Sequence, residues 1–231
     1  MTLVLLPGMD GTGDLFDPFV VALGGEFNIV IVRYPQKKAL GYDALATIAR
    51  NAIPAHGPWV ILGESCSGPV AISLAATASS ELKGMVLCAT FVSNPQPLLS
   101  GLRGHLPALP LSFAPAWLVS YFMLGRASTQ ALRASLGAAL ARVSRAAWKA
   151  RLNAVLAVDV SSKLAAVRVP ILTLRARRDR LVPAAASELI ARLAPHVVIA
   201  SVDAPHFLLQ TNPAEAARLV SEFVRKCERL M

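Results

Sequence analysis

The segment Trp59-Val60-Ile61-Leu62-Gly63-Glu64-Ser65-Cys66-Ser67-Gly68-Pro69-Val70-Ala71 constrains this chain more than any other. A short apolar run stops at a glycine, a serine follows two residues later, and small residues lead into an apolar helical pattern. This is the sequence form of a strand–turn–helix nucleophile elbow. Residues two before and two after the nucleophile must be small, or their side chains collide. With Ser65 as nucleophile the flanks are Gly63 and Ser67, both small. With Cys66 they are Glu64 and Gly68, and with Ser67 they are Ser65 and Pro69. Ser65 is the frame that fits, although Ser67 stands where such elbows end in glycine and Gly68 comes one residue late.

Short apolar runs recur at 3–6, 28–34, 59–63, 84–91, 170–175 and 197–202. They are near-continuous rather than alternating, as buried parallel strands require. Helical patterns lie between or after them at 42–53, 69–77, 184–193 and 213–229. The alternation predicts an α/β fold with a doubly wound, mostly parallel sheet. One interval has no strand signal. From 93 to 158 the chain opens with Asn94-Pro95-Gln96-Pro97 and continues with apolar residues at helical spacing, including two Ala-, Leu- and Arg-rich helices over 128–156. This predicts a core of 1–92 and 159–231 with a helical lid of 93–158. Leu98, Leu102, Phe113, Trp117, Tyr121 and Phe122 are candidates to line an acyl pocket, or else to pack the lid onto the core.

A serine hydroxyl needs a base, and the base needs an acid that orients it. Of His56, His105, His196 and His206, only His206 follows the last strand, at the sheet edge where Ser65 would stand. Asp179 follows the strand at 170–175 and is the candidate acid, unless it merely pairs with Arg178 or Arg180. Asp203 is the runner-up, too close in sequence to reach the far ring nitrogen. Asp159 reads as an anchor for the return to the core. Backbone N–H groups of Cys66 and Met9, the latter in Pro7-Gly8-Met9-Asp10-Gly11-Thr12-Gly13, are candidates for an oxyanion hole. That loop lacks the endings of a phosphate or dinucleotide cradle. Asp10, Asp14 and Asp17 have no His or Cys beside them and read as loop or capping residues, so neither a metal nor another cofactor is expected.

Charge is unevenly placed. Of a net +9, residues 1–100 carry 5 Lys/Arg against 7 Asp/Glu, and residues 101–231 carry 18 against 7. The predicted lid has seven basic residues between 101 and 158 and no acid. Arg142, Arg145 and Arg151 there could meet an acidic partner: an acyl-carrier protein, a coenzyme A ester or a lipid surface. The simpler reading is that they are ordinary solvated residues. There is no nucleic-acid motif, signal peptide or transmembrane run. Three cysteines make no disulfide framework, which suits a reduced, cytoplasmic setting.

Taken together, the Gly8-Met9 loop, the elbow at 63–68, Asp179 before Val182-Pro183, and His206 resemble the α/β-hydrolase superfamily over nearly the whole chain. The order serine, acid, histidine is that family's. The resemblance is greatest to small bacterial lidded members such as carboxylesterases and pimeloyl-carrier methyl esterases. It implies a Ser65–His206–Asp179 triad that hydrolyses an ester of an apolar acyl group through an acyl-enzyme. The alternatives are an acyl-thioesterase and a non-catalytic ligand receptor on the same scaffold. The chain departs from the family in Pro7-Gly8, in Ser67, and in starting at the family's third strand, without its N-terminal hairpin.

Overall fold

The computed structural model describes residues 1–97 and 116–230. Six strands form one sheet: β1 (Thr2–Leu6), β2 (Asn28–Ile31), β3 (Trp59–Glu64), β4 (Leu82–Cys88), β5 (Ile171–Ala176) and β6 (Val197–Val202). Their order is β2-β1-β3-β4-β5-β6, and every pairing is parallel. The predicted doubly wound parallel sheet is therefore present. All six residues of β3 are buried, as a central strand covered on both faces must be. The edge strands β2 and β6 are only partly covered.

Helices pack on both faces. On one side lie α2 (Tyr42–Ala52), α3 (Gly68–Ala75), α7 (Ser161–Ala166) and α8 (Ala184–Leu193), over a layer that includes Val4, Leu6, Ile61, Val70 and Ile190. On the other lie α1 (Asp17–Ala22), α9 (Leu208–Thr211) and α10 (Pro213–Glu228), over Leu3, Leu5, Val60, Leu62 and Val224. In α10 the buried residues include Ala216, Val220, Val224 and Cys227, one stripe at spacings of three and four.

Most predicted elements stand within two or three residues of their expected bounds. The run at 28–34 is strand only to Ile31: the Val32 N–H makes the last bond to β1, on the Leu5 carbonyl, and Tyr34 turns its N–H to the Gly11 carbonyl. The helices α1, α7 and α9 were not expected. At four to six residues they are too short to show a period.

Between β4 and β5 the described residues form α4 (Ala116–Met123), α5 (Gln130–Ala141) and α6 (Arg145–Ala157). The last two correspond to the pair expected over 128–156. Thr129 and Ser144 cap them by accepting the Leu132 and Ala147 N–H groups, which satisfies donors that a helix start leaves free. The segment leaves and rejoins the core at one place. Ser93 and Asp159 form an antiparallel bridge, the Asn94 N–H reaches the Val158 carbonyl, and the Val160 N–H reaches that of Val92. Asp159 also accepts the Ser161 N–H at 2.9 Å, anchoring the return. Leu98, Leu102, Phe113 and His105 lie outside the described residues.

Candidate active site

The chain runs outward from β1 to β2 and then back across to β3. Such a reversal leaves a crevice at the carboxyl ends of the two strands where the direction changes. Here those strands are β1 and β3, which end in the Pro7–Gly13 loop and in Ser65.

Ser65 is the first residue of a 3₁₀ turn between β3 and α3. Its φ is 51°, a left-handed conformation that only a few per cent of non-glycine residues adopt. Steric facts around it explain the small residues. A Cβ on Gly63 would lie 2.7 Å from the Ser67 carbonyl oxygen, and one on Gly68 only 2.0 Å from Thr90 Oγ1. The obligatory glycine after the nucleophile is thus Gly68, and Ser67 has room for its side chain. Ser67 Oγ donates to the Pro7 carbonyl at 2.5 Å, so the Tyr34 hydroxyl at 3.1 Å is the donor to Ser67. Thr90 donates its hydroxyl to the Ser65 carbonyl. The elbow is therefore fastened to β1 and to the end of β4.

Ser65 Oγ lies 2.9 Å from His206 Nε2, and His206 Nδ1 lies 2.8 Å from Asp179 Oδ2. A carboxylate only accepts, so Nδ1 carries the proton and Nε2 offers its lone pair to the serine. The other Asp179 oxygen accepts the Leu181 and Val182 N–H groups at 2.8 and 2.9 Å. The loops that carry acid and imidazole are tied together as well, with Arg177 N–H on the Val202 carbonyl and Arg178 N–H on that of Ala204. Both side chains are buried. Burial works against the imidazolium, but the Asp179 charge, its hydrogen bond and the Glu64 charge outweigh it and raise the His206 pKa above 6.5.

The other candidates resolve clearly. Arg178 pairs with Asp203 at 2.9 Å, and Arg180 donates to the Tyr121 carbonyl and lies over the Tyr121 ring. Neither of these contacts involves Asp179, and Asp203 is an exposed partner of Arg178. Cys66 is buried, and burial pushes its thiol up to about 12, so it stays protonated and unsuited to attack. The loop after β1 folds into a tight turn, with the Gly11 N–H on the Gly8 carbonyl at 3.0 Å. Asp10 accepts the Thr12 N–H and hydroxyl within that loop, while Asp14 pairs with Arg33 and Arg142. Trp117 and Tyr121 on α4 are exposed, and Phe122 packs edge-on against Tyr121.

Sequence reasoning missed three residues here. Glu64, buried directly before Ser65, accepts a hydrogen bond from the Gln210 amide at 2.9 Å. The sequence offers Arg151, with Arg142 and Arg145, as a contact for an acidic partner or else as a solvated residue. It is instead 2% exposed, with its guanidinium against the loop after β1. Its spacing of four from buried Ala147 on α6 is the signal that places it on the inner face.

Comparisons with known proteins agree with this architecture. Residues 41–206 match the family described as serine aminopeptidase, S33. A pimeloyl-[acyl-carrier protein] methyl ester esterase of Methylococcus capsulatus is 28% identical, over 96% of this chain and 93% of its own. Among solved structures, an enol-lactonase from Burkholderia xenovorans superposes with a TM-score of 0.83 at 16% identity, covering 97% of this chain and 91% of that one. A bromoperoxidase from Bacillus anthracis gives 0.82 at 14%, with coverage of 97% and 91%. At such identities these two structures speak for the fold alone. The chain belongs to the serine aminopeptidase S33 family and is an α/β-hydrolase enzyme.

Proposed function

We propose that this protein is a serine hydrolase that cleaves a carboxylic ester with an apolar acyl group. The observation that carries the reading is the unbroken hydrogen-bonded series Ser65 Oγ, His206, Asp179. His206 Nε2 takes the Ser65 proton as Oγ bonds to the ester carbonyl carbon. The carbonyl oxygen becomes an oxyanion and is held by the Met9 and Cys66 N–H groups. The C–O bond to the alcohol then breaks, the imidazolium gives its proton to the departing oxygen, and an acyl-enzyme remains. Water attacks that ester while His206 accepts its proton. The acid leaves as the proton returns to Ser65.

In this reading residues 93–158 cap the site above a core of 1–92 and 159–231, and Trp117, Tyr121 and Phe122 face the acyl group. The name of the Methylococcus relative favours an ester whose acyl chain is borne by an acyl-carrier protein. Among the described residues of the cap, Arg126, Arg133, Arg145 and Lys149 are exposed cations that would meet it, while exposed Arg142 is paired with Asp14. A thioester would pass through the same steps with a thiolate leaving group.

A fluorophosphonate probe and a chain-length panel of esters and thioesters test the proposal. Wild type should be labelled and should turn over esters. Ser65→Ala should lose the label and on the order of 10⁴-fold or more of kcat. A label that persists in Ser65→Ala, or a wild type that neither labels nor turns over, sinks it.

A further inference from the structure

Arg151 is a cation in an unusual place. It stands on α6, in the segment between β4 and β5, yet it is one of the largest fully buried side chains of the protein. Burial lowers its pKa against the opposing influence of Cys66, Asp10 and Tyr34. A buried charge is costly unless its donors are met. Backbone carbonyls meet both Nη atoms, while the buried Nε has no hydrogen-bond partner. Nη1 donates to the Met9 carbonyl at 2.8 Å and to the Asp10 carbonyl at 2.9 Å, and Nη2 donates to the Pro35 carbonyl at 3.0 Å.

These contacts fall on the loop proposed to hold the oxyanion. The Gly8 carbonyl is taken by the Gly11 N–H, and in a trans peptide the Met9 N–H points the opposite way. That fixes one peptide plane. Arg151 holds the next two carbonyls, which fixes the rotation of the chain on the other side of Met9. Gly11 completes the fit. It has φ of +67°, and a Cβ there would lie 2.8 Å from Arg151 Nη1, so the loop closes onto the guanidinium only with glycine at that position. The Pro35 contact ties the same fork to the chain beyond β2. A lysine could supply the charge but not this forked set of donors.

We propose that Arg151 is a positioning residue for the oxyanion loop: reaching in from α6, its guanidinium fixes the direction of the Met9 N–H by holding the carbonyls of Met9 and Asp10. The inference rests on the Ser65 hydrolase reading. It makes the helical segment a structural part of the catalytic apparatus, because the loop after β1 is set by a residue more than a hundred positions later. It also removes Arg151 from the residues available to an acidic partner.

The test compares wild type, Arg151→Lys and Arg151→Met on a short p-nitrophenyl ester, with unfolding monitored by circular dichroism. A misdirected donor weakens transition-state binding more than substrate binding. The expected result is a fall in kcat of about 10- to 100-fold, since displacement of order 1 Å costs about that much, with KM little changed. Binding of a trifluoromethyl ketone, whose tetrahedral adduct places an oxyanion in the hole, should weaken in parallel with kcat. Arg151→Lys should fall between wild type and Arg151→Met. If Arg151→Met does not fold, Arg151→Lys decides alone. Unchanged kcat in a folded variant overturns the proposal, as does a raised KM at constant kcat, which would make Arg151 a substrate-binding group. Those failures leave an active wild type, whereas failure of the hydrolase reading leaves an inert one and takes this inference with it.

Discussion

Glu64 Oε1 accepts a 2.9 Å hydrogen bond from Gln210 Nε2, and the pair joins the residue before Ser65 to α9, just after His206. Both side chains are buried. Burial is the chief reason that the Glu64 carboxyl is pushed up to about 7, Gln210 draws it back, and the Asp10 charge adds to the rise. The folded chain therefore holds this proton more tightly than the unfolded chain does. Stability should fall as pH rises from about 4.5 to about 7 and level off above that. Glu64→Gln, which cannot ionise, should flatten this slope. Chemical denaturation across the interval measures it, and an unaltered slope in the variant would refute the assignment.

His206 acts as a base only when neutral, and its pKa lies above 6.5 because the Asp179 and Glu64 charges outweigh burial. The acid limb of kcat/KM should therefore turn over above pH 6.5. Asp179→Asn removes one of the raising charges and the orienting acceptor. It should move the limb to lower pH and reduce kcat on the order of 10⁴-fold. Glu64 and His206 influence each other, so the limb belongs to the pair. A limb that does not move in Asp179→Asn would assign it to another group.

Ser67→Gly gives the elbow its ordinary small residue and should nevertheless destabilise the protein. It leaves the Pro7 carbonyl without its 2.5 Å donor and the buried Tyr34 hydroxyl without its acceptor. An unmet buried polar group costs about 1–3 kcal/mol. Urea unfolding of the two proteins compares them. Equal stability would mean that neither bond matters.

Gly68→Ala should be worse tolerated than its size suggests. The new methyl would start 2.0 Å from Thr90 Oγ1, and Thr90 must then release the Ser65 carbonyl. Overpacking of this kind costs about 1–3 kcal/mol, and kcat should fall with it as the nucleophile shifts. Thermal unfolding and ester turnover are the paired measurements. A variant equal to wild type in both would show that the turn yields freely.

The residues that do the proposed chemistry were legible because each follows its own strand. Ser65, Asp179 and His206 come just after β3, β5 and β6, and a parallel sheet brings such positions to one edge. The supports were not legible in the same way. Nothing local to Gln210 says that it will face Glu64 across 146 positions. Arg151 sits among Ala and Leu in a helix that also carries Arg145 and Lys149, where exposure is the ordinary expectation. Its inward face becomes visible only when it is counted from Ala147. Ser67 is small enough for the elbow on steric grounds and departs only from the glycine usual there. Its hydroxyl has a hydrogen-bonding task that a steric rule does not contain.

Ser93 and Asp159 face each other as one bridged pair, and this has a consequence for how such a chain can be remodelled. The backbone closes at that pair, so the chain between them starts and ends at one place. The entropic cost of a longer or shorter insert grows only with the logarithm of its length. If residues 93–158 cap the site as proposed, a different insert grafted at the 93/159 junction should change the preferred acyl length while the sheet keeps its order, which an ester chain-length panel reads. A working graft carries one obligation: it must bring its own plug for the socket that Arg151 now fills.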